Sequence, residues 1–145
     1  MIKKCALLLS LLIVACTNND DSENVFDIKS FPQEWELTGM SGGLSPVLLT
    51  GSDMTWQETL TLESDGRFLK VRRFDEVRIE GAGDFSFSEK EGETYLNLTY
   101  DSETILIESC TGEKLLETLF MPTTTSLRGG SAPCDGPGLY YDRVK

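Results

Sequence analysis

Four cysteines and no histidine set the chemistry open to this 145-residue chain. A thiol attacks or ligates as the thiolate, and the imidazole that would activate one is absent. The same absence removes Ser-His-Asp and Cys-His arrangements and the commonest metal ligand. The expectation is therefore no catalytic residue, no metal and no cofactor. The one remaining route to catalysis is a carboxylate pair, and the sequence does not show which of its 24 acidic side chains meet. The thiols have other uses, which their surroundings define: Cys5 and Cys16 lie beside an apolar run near the start, Cys110 and Cys134 in the last third of the chain.

Lys3 and Lys4 precede an apolar run from Ala6 to Ala15, the layout of a secretory signal. At roughly 10 residues the run is half of the about 20 needed to span a bilayer. It closes as Leu11-Leu12-Ile13-Val14-Ala15-Cys16. These residues resemble the lipobox of bacterial lipoproteins, in which an apolar residue, a small residue and a cysteine are read by a lipid transferase and a dedicated signal peptidase. The resemblance implies that residues 1–15 are a removed signal peptide and that Cys16 becomes the acylated first residue of the mature protein. Several acyl chains, at about 0.8 kcal/mol per buried methylene, anchor a protein to a membrane that it does not span. With Cys5 lost and Cys16 lipidated, Cys110 and Cys134 remain for each other, and export makes a disulfide between them the expectation.

Residues 16–30 read as the anchor and its linker. Thr17 to Lys29 is polar and acidic, with too few apolar side chains to bury, and is expected to be a flexible tether. Its stretch Asp20-Asp21-Ser22-Glu23 is similar to the export signal that sends lipoproteins of Bacteroides-group bacteria to the outer face of the outer membrane, although a merely solvated linker has the same composition. The expected location is the cell envelope, lipid-anchored in the outer membrane and facing outward. Losing Lys3 and Lys4 from 13 basic residues leaves 11 against 24 acidic ones, a formal side-chain charge of −13. No Lys/Arg cluster exceeds Arg72-Arg73, so nucleic acid is not an expected partner.

Length suits one domain with one core, residues 31–145. After Pro32 the chain breaks into short alternating runs punctuated by Gly, Asp, Ser and Pro, which predicts an all-β, antiparallel up-and-down meander. Eight strands are expected: Gln33 to Thr38, Thr55 to Glu63, Arg67 to Phe74, Val77 to Ser88, Thr94 to Tyr100, Thr104 to Cys110, Glu113 to Met121 and Leu139 to Val144. The seventh has helical spacing in Leu115, Leu116, Leu119 and Phe120, but Pro122 and its place in a meander favour strand. Thr123 to Gly138 reads as a long loop. Val77, Ile79, Phe85 and Phe87 point inward on the fourth strand, together with Gly81 and Gly83, whose missing side chains permit a sharp bend or a large neighbour. A phosphate loop at Gly81-Ala82-Gly83 is excluded because strand, not helix, follows it.

Closing such a meander into a barrel hides its edges. Glu34-Trp35-Glu36-Leu37, Leu60-Thr61-Leu62 running through Asp65-Gly66 to Phe68, Phe85-Ser86-Phe87 and Tyr140-Tyr141-Asp142-Arg143-Val144 together resemble the lipocalin-like lipoprotein domains of Bacteroides-type bacteria, over roughly residues 31 to 145. Gln33 stands where true lipocalins carry a glycine. The resemblance implies an eight-stranded lipocalin-like barrel that holds a small hydrophobic ligand. The other function open to such a domain is docking on an envelope or host protein, as an inhibitor or assembly subunit, with a filled barrel. Barrel volume separates the two.

Two local expectations bear on that choice. A three-residue loop Ser64-Asp65-Gly66, with Gly66 at positive φ, sets Leu62 across from Phe68, Glu58 across from Arg72 and Trp56 across from Phe74; a two-residue loop shifts Glu58 to Arg73. Glu58 shares a face with Trp56, Leu60 and Leu62, so burial there would demand a cationic partner. Gly39 to Asp53, broken by glycines and Pro46 yet carrying Met40, Leu44, Val47, Leu48 and Leu49, is expected to cover one mouth rather than form a strand. It acts either as a plug that completes the core or as a lid on an apolar cavity. In the lid reading the ligand-binding side chains are Trp35, Met40, Leu44, Leu48, Trp56, Phe85 and Phe87.

Overall fold

The longest alternating stretch of the sequence becomes the longest strand. A computed structural model describes residues 26–42 and 47–145. In it Val77–Lys90 (β5) pairs with Arg67–Phe74 (β4) through its first part, Val77 to Asp84, and with Glu93–Tyr100 (β6) through its second, Gly83 to Lys90. Gln33–Ser41 (β1), Leu48–Thr50 (β2), Gln57–Leu62 (β3), Leu116–Thr123 (β7), Ser126–Gly130 (β8) and Gly138–Arg143 (β9) complete one antiparallel sheet, and no α-helix is present among the described residues. Neighbours in sequence pair from β3 to β9. β1 then pairs with both β3 and β9, which closes eight strands into a barrel, and β2 lies outside the ring against the far end of β1.

The β3–β4 hairpin has the three-residue register: Leu62 faces Phe68, Glu58 faces Arg72, and Gly66 has φ +86°. The ladder stops at Gln57 and Arg73, so Trp56 and Phe74 do not pair. Gly83 is obligatory, because a Cβ there would lie 1.9 Å from the Thr99 carbonyl oxygen and 2.8 Å from the Phe68 ring. Trp35, Leu60, Leu62, Phe68, Leu96, Leu98, Leu119, Leu127 and Tyr141 fill the interior from seven of the eight ring strands, and β5 adds the partly buried Ile79 and Phe85.

Three expectations need correction. Thr104 to Cys110 is not a strand: residues 101–115 form a loop over the upper mouth, with Leu106 buried and Ile105 exposed. A strand would have set Ile105 and Ile107 on one face and offered its carbonyls to a neighbouring strand, whereas the Ile105 and Leu106 carbonyls here accept from the side chains of Arg72 and Lys70. Thr123 to Gly138 is not all loop, since it holds β8; only Leu127 in that strand is large and apolar, and Leu119 packs where Gly129 has no side chain. Eight is therefore the right number for the ring with one member exchanged. Val77, expected inward, lies exposed at the β4–β5 tip, beyond the reach of the core.

Chain entry marks the lower mouth. Gln33 Nε2 donates to the Ile28 carbonyl at 2.6 Å, and Arg143 donates to the carbonyls of Asp27 and Ser30, both at 2.9 Å. Phe31 packs on Phe85 with 5.6 Å between ring centres. Residues 26–30, expected as the end of a tether, are thus strapped under the barrel, because Phe26, Ile28 and Phe31 supply the apolar side chains that Thr17 to Asn24 lack. The expected signal peptide 1–15, Cys16 and the acidic stretch lie outside the described residues.

Candidate functional site

Alternation on β3, β4 and β7 aims four charged side chains into the barrel. Glu58 follows the same face as Leu60 and Leu62, Lys70 and Arg72 that of Phe68, and Glu117 that of Leu119 and Met121. Lys70 Nζ lies 3.0 Å from Glu58 Oε1 and 2.8 Å and 2.9 Å from the two Glu117 oxygens, and it also donates to the Leu106 carbonyl at 3.2 Å. Arg72 Nε donates to Glu58 Oε2 at 2.6 Å, and Arg72 Nη1 reaches Glu108 at 3.2 Å. The Tyr141 hydroxyl donates to Glu58 and the Tyr100 hydroxyl to Glu117. The side chains of Glu58, Lys70 and Glu117 have 0% exposure.

Isolated charges at such depth would each cost several kcal/mol, and pairing plus hydrogen bonding is what makes them tolerable. Burial pushes the Glu58 carboxyl up, but the charges of Lys70 and Arg72 and the hydrogen bonds from Tyr141 and Arg72 outweigh it and hold Glu58 below the usual carboxylate range. At Glu117 burial wins over Lys70 and Tyr100, and its pKa is raised. Burial also opposes the charge on Lys70, but the two carboxylates overcome it and keep the ammonium protonated above its ordinary value. Two carboxylates share one ammonium, so Glu117, which lacks an arginine, takes up a proton first as the pH falls. Tyr100 and Tyr141, buried and next to these carboxylates, are pushed far up and stay neutral donors.

Glu58, Lys70 and Glu117 are closed off from solvent, while Arg72 and Glu108 carry the network toward the surface. Its reach ends at the loop over the upper mouth, where the Cys110–Cys134 disulfide, with Cα atoms 5.8 Å apart, ties the loop to the turn Ala132–Cys134 before β9. Ser131 Oγ donates to Glu108 Oε2 at 2.9 Å beside that bridge.

The side chains expected to bind a ligand are not gathered in one cavity. Trp35 is wholly buried, with its indole N–H donating to Gln33 Oε1 at 3.2 Å. Gln33 thus bridges the first-strand tryptophan to the entering chain. Phe85 and Phe87 sit at the lower mouth, where Phe87 with Ile28 and Phe31 lines a cleft of about 430 Å³. Met40 and Trp56 belong to the opposite end, in a cleft of about 260 Å³ completed by Leu49 and Pro137. Leu48 points outward with 53% exposure, and Leu44 lies outside the described residues. Nor is the stretch strandless: β1 runs on to Ser41 and β2 pairs with it, which sends Leu48 to the outside and Leu49 toward the core. Lys70 and Glu117 escaped the sequence reading, although their place in alternation with Phe68 and Leu119 was a usable signal.

A closed eight-stranded barrel with an occupied, partly ionic interior is the class that fold and site define. No family model matches the chain, and neither a curated protein nor a solved structure does.

Proposed function

We propose that the chain is a lipid-anchored protein of the bacterial cell envelope, held in the outer membrane through Cys16 and probed from outside, whose lipocalin-like barrel is a solid scaffold that works through its surface by docking on another protein. The observation that carries the scaffold half is the position of Lys70. It stands between Glu58 and Glu117 where a lipocalin-like carrier would need an apolar void, and a hydrophobic ligand entering there would have to displace a paired ammonium and two carboxylates. The anchoring half rests on the resemblance around Cys16 and on the acidic stretch after it.

Each half has its own test. Cells fed radiolabelled palmitate should label the wild-type protein and not the Cys16→Ala variant; equal labelling, or none in either, defeats the anchor. A hydrophobic fluorescent dye titrated into the purified protein should show no saturable, stoichiometric uptake that competes with barrel closure. Stoichiometric uptake abolished by a large side chain placed at Gly81, which faces Leu106 and Tyr100 inside the barrel, would restore the carrier function.

A further inference from the structure

Lys70 is held against a carboxyl group from another wall of the barrel. It belongs to β4 and Glu117 to β7, three strands away in the sheet and 47 residues along the chain, yet Lys70 Nζ lies 2.8 Å and 2.9 Å from the two Glu117 oxygens. A nitrogen that touches both oxygens faces the carbon between them, close to the about 3–3.5 Å from which oriented groups react. Three acceptors surround that nitrogen: Glu117, Glu58 Oε1 at 3.0 Å and the Leu106 carbonyl at 3.2 Å. Each of its protons therefore has one direction, and the lone pair left by a proton that passes to Glu117 is aimed at the Glu117 carboxyl. The side chains of Glu58, Lys70 and Glu117 have 0% exposure, so the three meet away from solvent.

We propose that Lys70 and Glu117 condense slowly, by self-catalysis, into an amide that staples β4 to β7 through the barrel interior. One proton moves from the ammonium to Glu117, which gives a neutral amine and a neutral carboxyl group. With the carboxyl turned about its Cγ–Cδ bond to present its face, Nζ adds to Cδ. The Tyr100 hydroxyl, 2.6 Å from Glu117 Oε2, donates to the oxygen on which negative charge develops. Glu58 takes a second proton from the nitrogen and returns it to the departing Oε1 hydroxyl. The N–C bond forms, one C–O bond breaks, a water molecule leaves, and Glu58 ends as the carboxylate it was. Condensation removes one buried charge of each sign, the costly part of the network, and leaves Glu58 paired with Arg72 at 2.6 Å. Burial also keeps bulk water from reversing it. The two carboxylates hold Lys70 protonated above its ordinary value, so the free amine is scarce and closure is slow. Newly made protein holds the ionic network described above, and the bond accumulates as the protein ages. The bond is independent of the docking function.

Intact mass spectrometry of the full-length wild type, freshly purified and again after a month in buffer, should show a growing fraction lighter by one water. In a tryptic digest of that fraction Lys70 resists cleavage, and residues 68–72 appear joined to residues 115–128 as one branched peptide. Lys70→Arg keeps the cation but offers no amine, and it should hold the full mass at every time. Tyr100→Phe keeps the ring that packs on Phe68 and should slow closure roughly tenfold or more, the effect of losing one donor to the reacting oxygen. Glu58→Gln, its fold checked by a thermal melt, should slow closure at least as much. Wild type at full mass in both samples, with residues 68–70 and 71–72 released as separate peptides, would overturn the proposal. So would a water loss that persists in Lys70→Arg or maps to other residues. Closure of folded Glu58→Gln at the wild-type rate would overturn the catalytic role of Glu58.

Discussion

Lys70 is the side chain whose loss the interior tolerates least. Lys70→Met is expected to destabilise by about 3–5 kcal/mol in urea melts, because it leaves Glu58 and Glu117 buried with too little positive charge between them. Adding Glu117→Leu to it should recover most of that loss, a non-additivity that separates charge imbalance from simple loss of packing. A second expectation concerns pH. Glu117 has a raised pKa in the folded state, so its contribution to stability is fully present below 4.5 and is lost as the pH rises through the folded value. Glu58 has the opposite sign, its contribution being present above 4.5 and lost as the pH falls through its lower folded value. Glu117→Gln should therefore gain on the wild type steadily as the pH rises above 4.5 and then level off, which denaturant melts between about pH 4 and pH 8 will show; a parallel pair of curves would place the charge elsewhere. The sequence carried half of this site. The hairpin turn put Glu58 opposite Arg72, whereas for Glu117 alternation with Leu119 signals only an inward aim, and its meeting with Lys70 depends on barrel closure, which joins residues far apart in the chain.

Among the elements, the loop 101–115 departs most from its sequence pattern, and its reasons are tertiary. Ile105, Ile107 and the turn Asp101-Ser102-Glu103 have the composition of a hairpin, but side-chain donors inside the barrel claim the backbone acceptors that a strand would need. β8 stayed hidden for a converse reason: Gly129 is bare because Leu119 occupies its space, so the strand lacks the second inward side chain that would reveal alternation. Strands β4, β5 and β6, which pair with their sequence neighbours through the tight turns at Asp65-Gly66, Asp75-Glu76 and Glu91-Gly92, were legible to within two residues, whereas β1 runs on to Ser41, past its expected end at Thr38. The disulfide holds the two misjudged stretches together, since it joins the loop to the turn after β8. Replacing both Cys110 and Cys134 by serine should cost about 3.5 kcal/mol in the chain-entropy account of a loop of about 25 residues. Hydrogen exchange should localise the change: amides of the 101–115 loop lose protection while those of β3 and β4 keep theirs, since Leu106 remains seated on Gly81 and Tyr100. Uniform loss across the barrel would mean that the bridge supports the whole fold.

For the molecule as a whole, charge inside and charge outside obey different rules, and salt distinguishes them. Residues 26–145 hold 21 acidic and 11 basic side chains, and the interior quartet Glu58, Lys70, Arg72 and Glu117 is balanced, so the excess of acid lies on or near the surface. Pairs such as Arg67 with Asp84 and Asp101 are exposed and screened, and they relieve little of it. Raising sodium chloride from about 0.01 M to about 1 M shortens the screening length from about 30 Å to about 3 Å, which weakens the surface self-repulsion and leaves the buried network almost untouched. The thermal midpoint of the wild type should therefore rise with salt, by roughly 3 °C or more, the shift that about 1 kcal/mol produces in a domain of this size. The Lys70→Met variant should rise in parallel, its deficit unchanged, because no counter-ion reaches the two carboxylates it leaves behind. If salt instead closes the gap between variant and wild type, ions or water enter the barrel, and the solid interior on which the docking function depends is open after all.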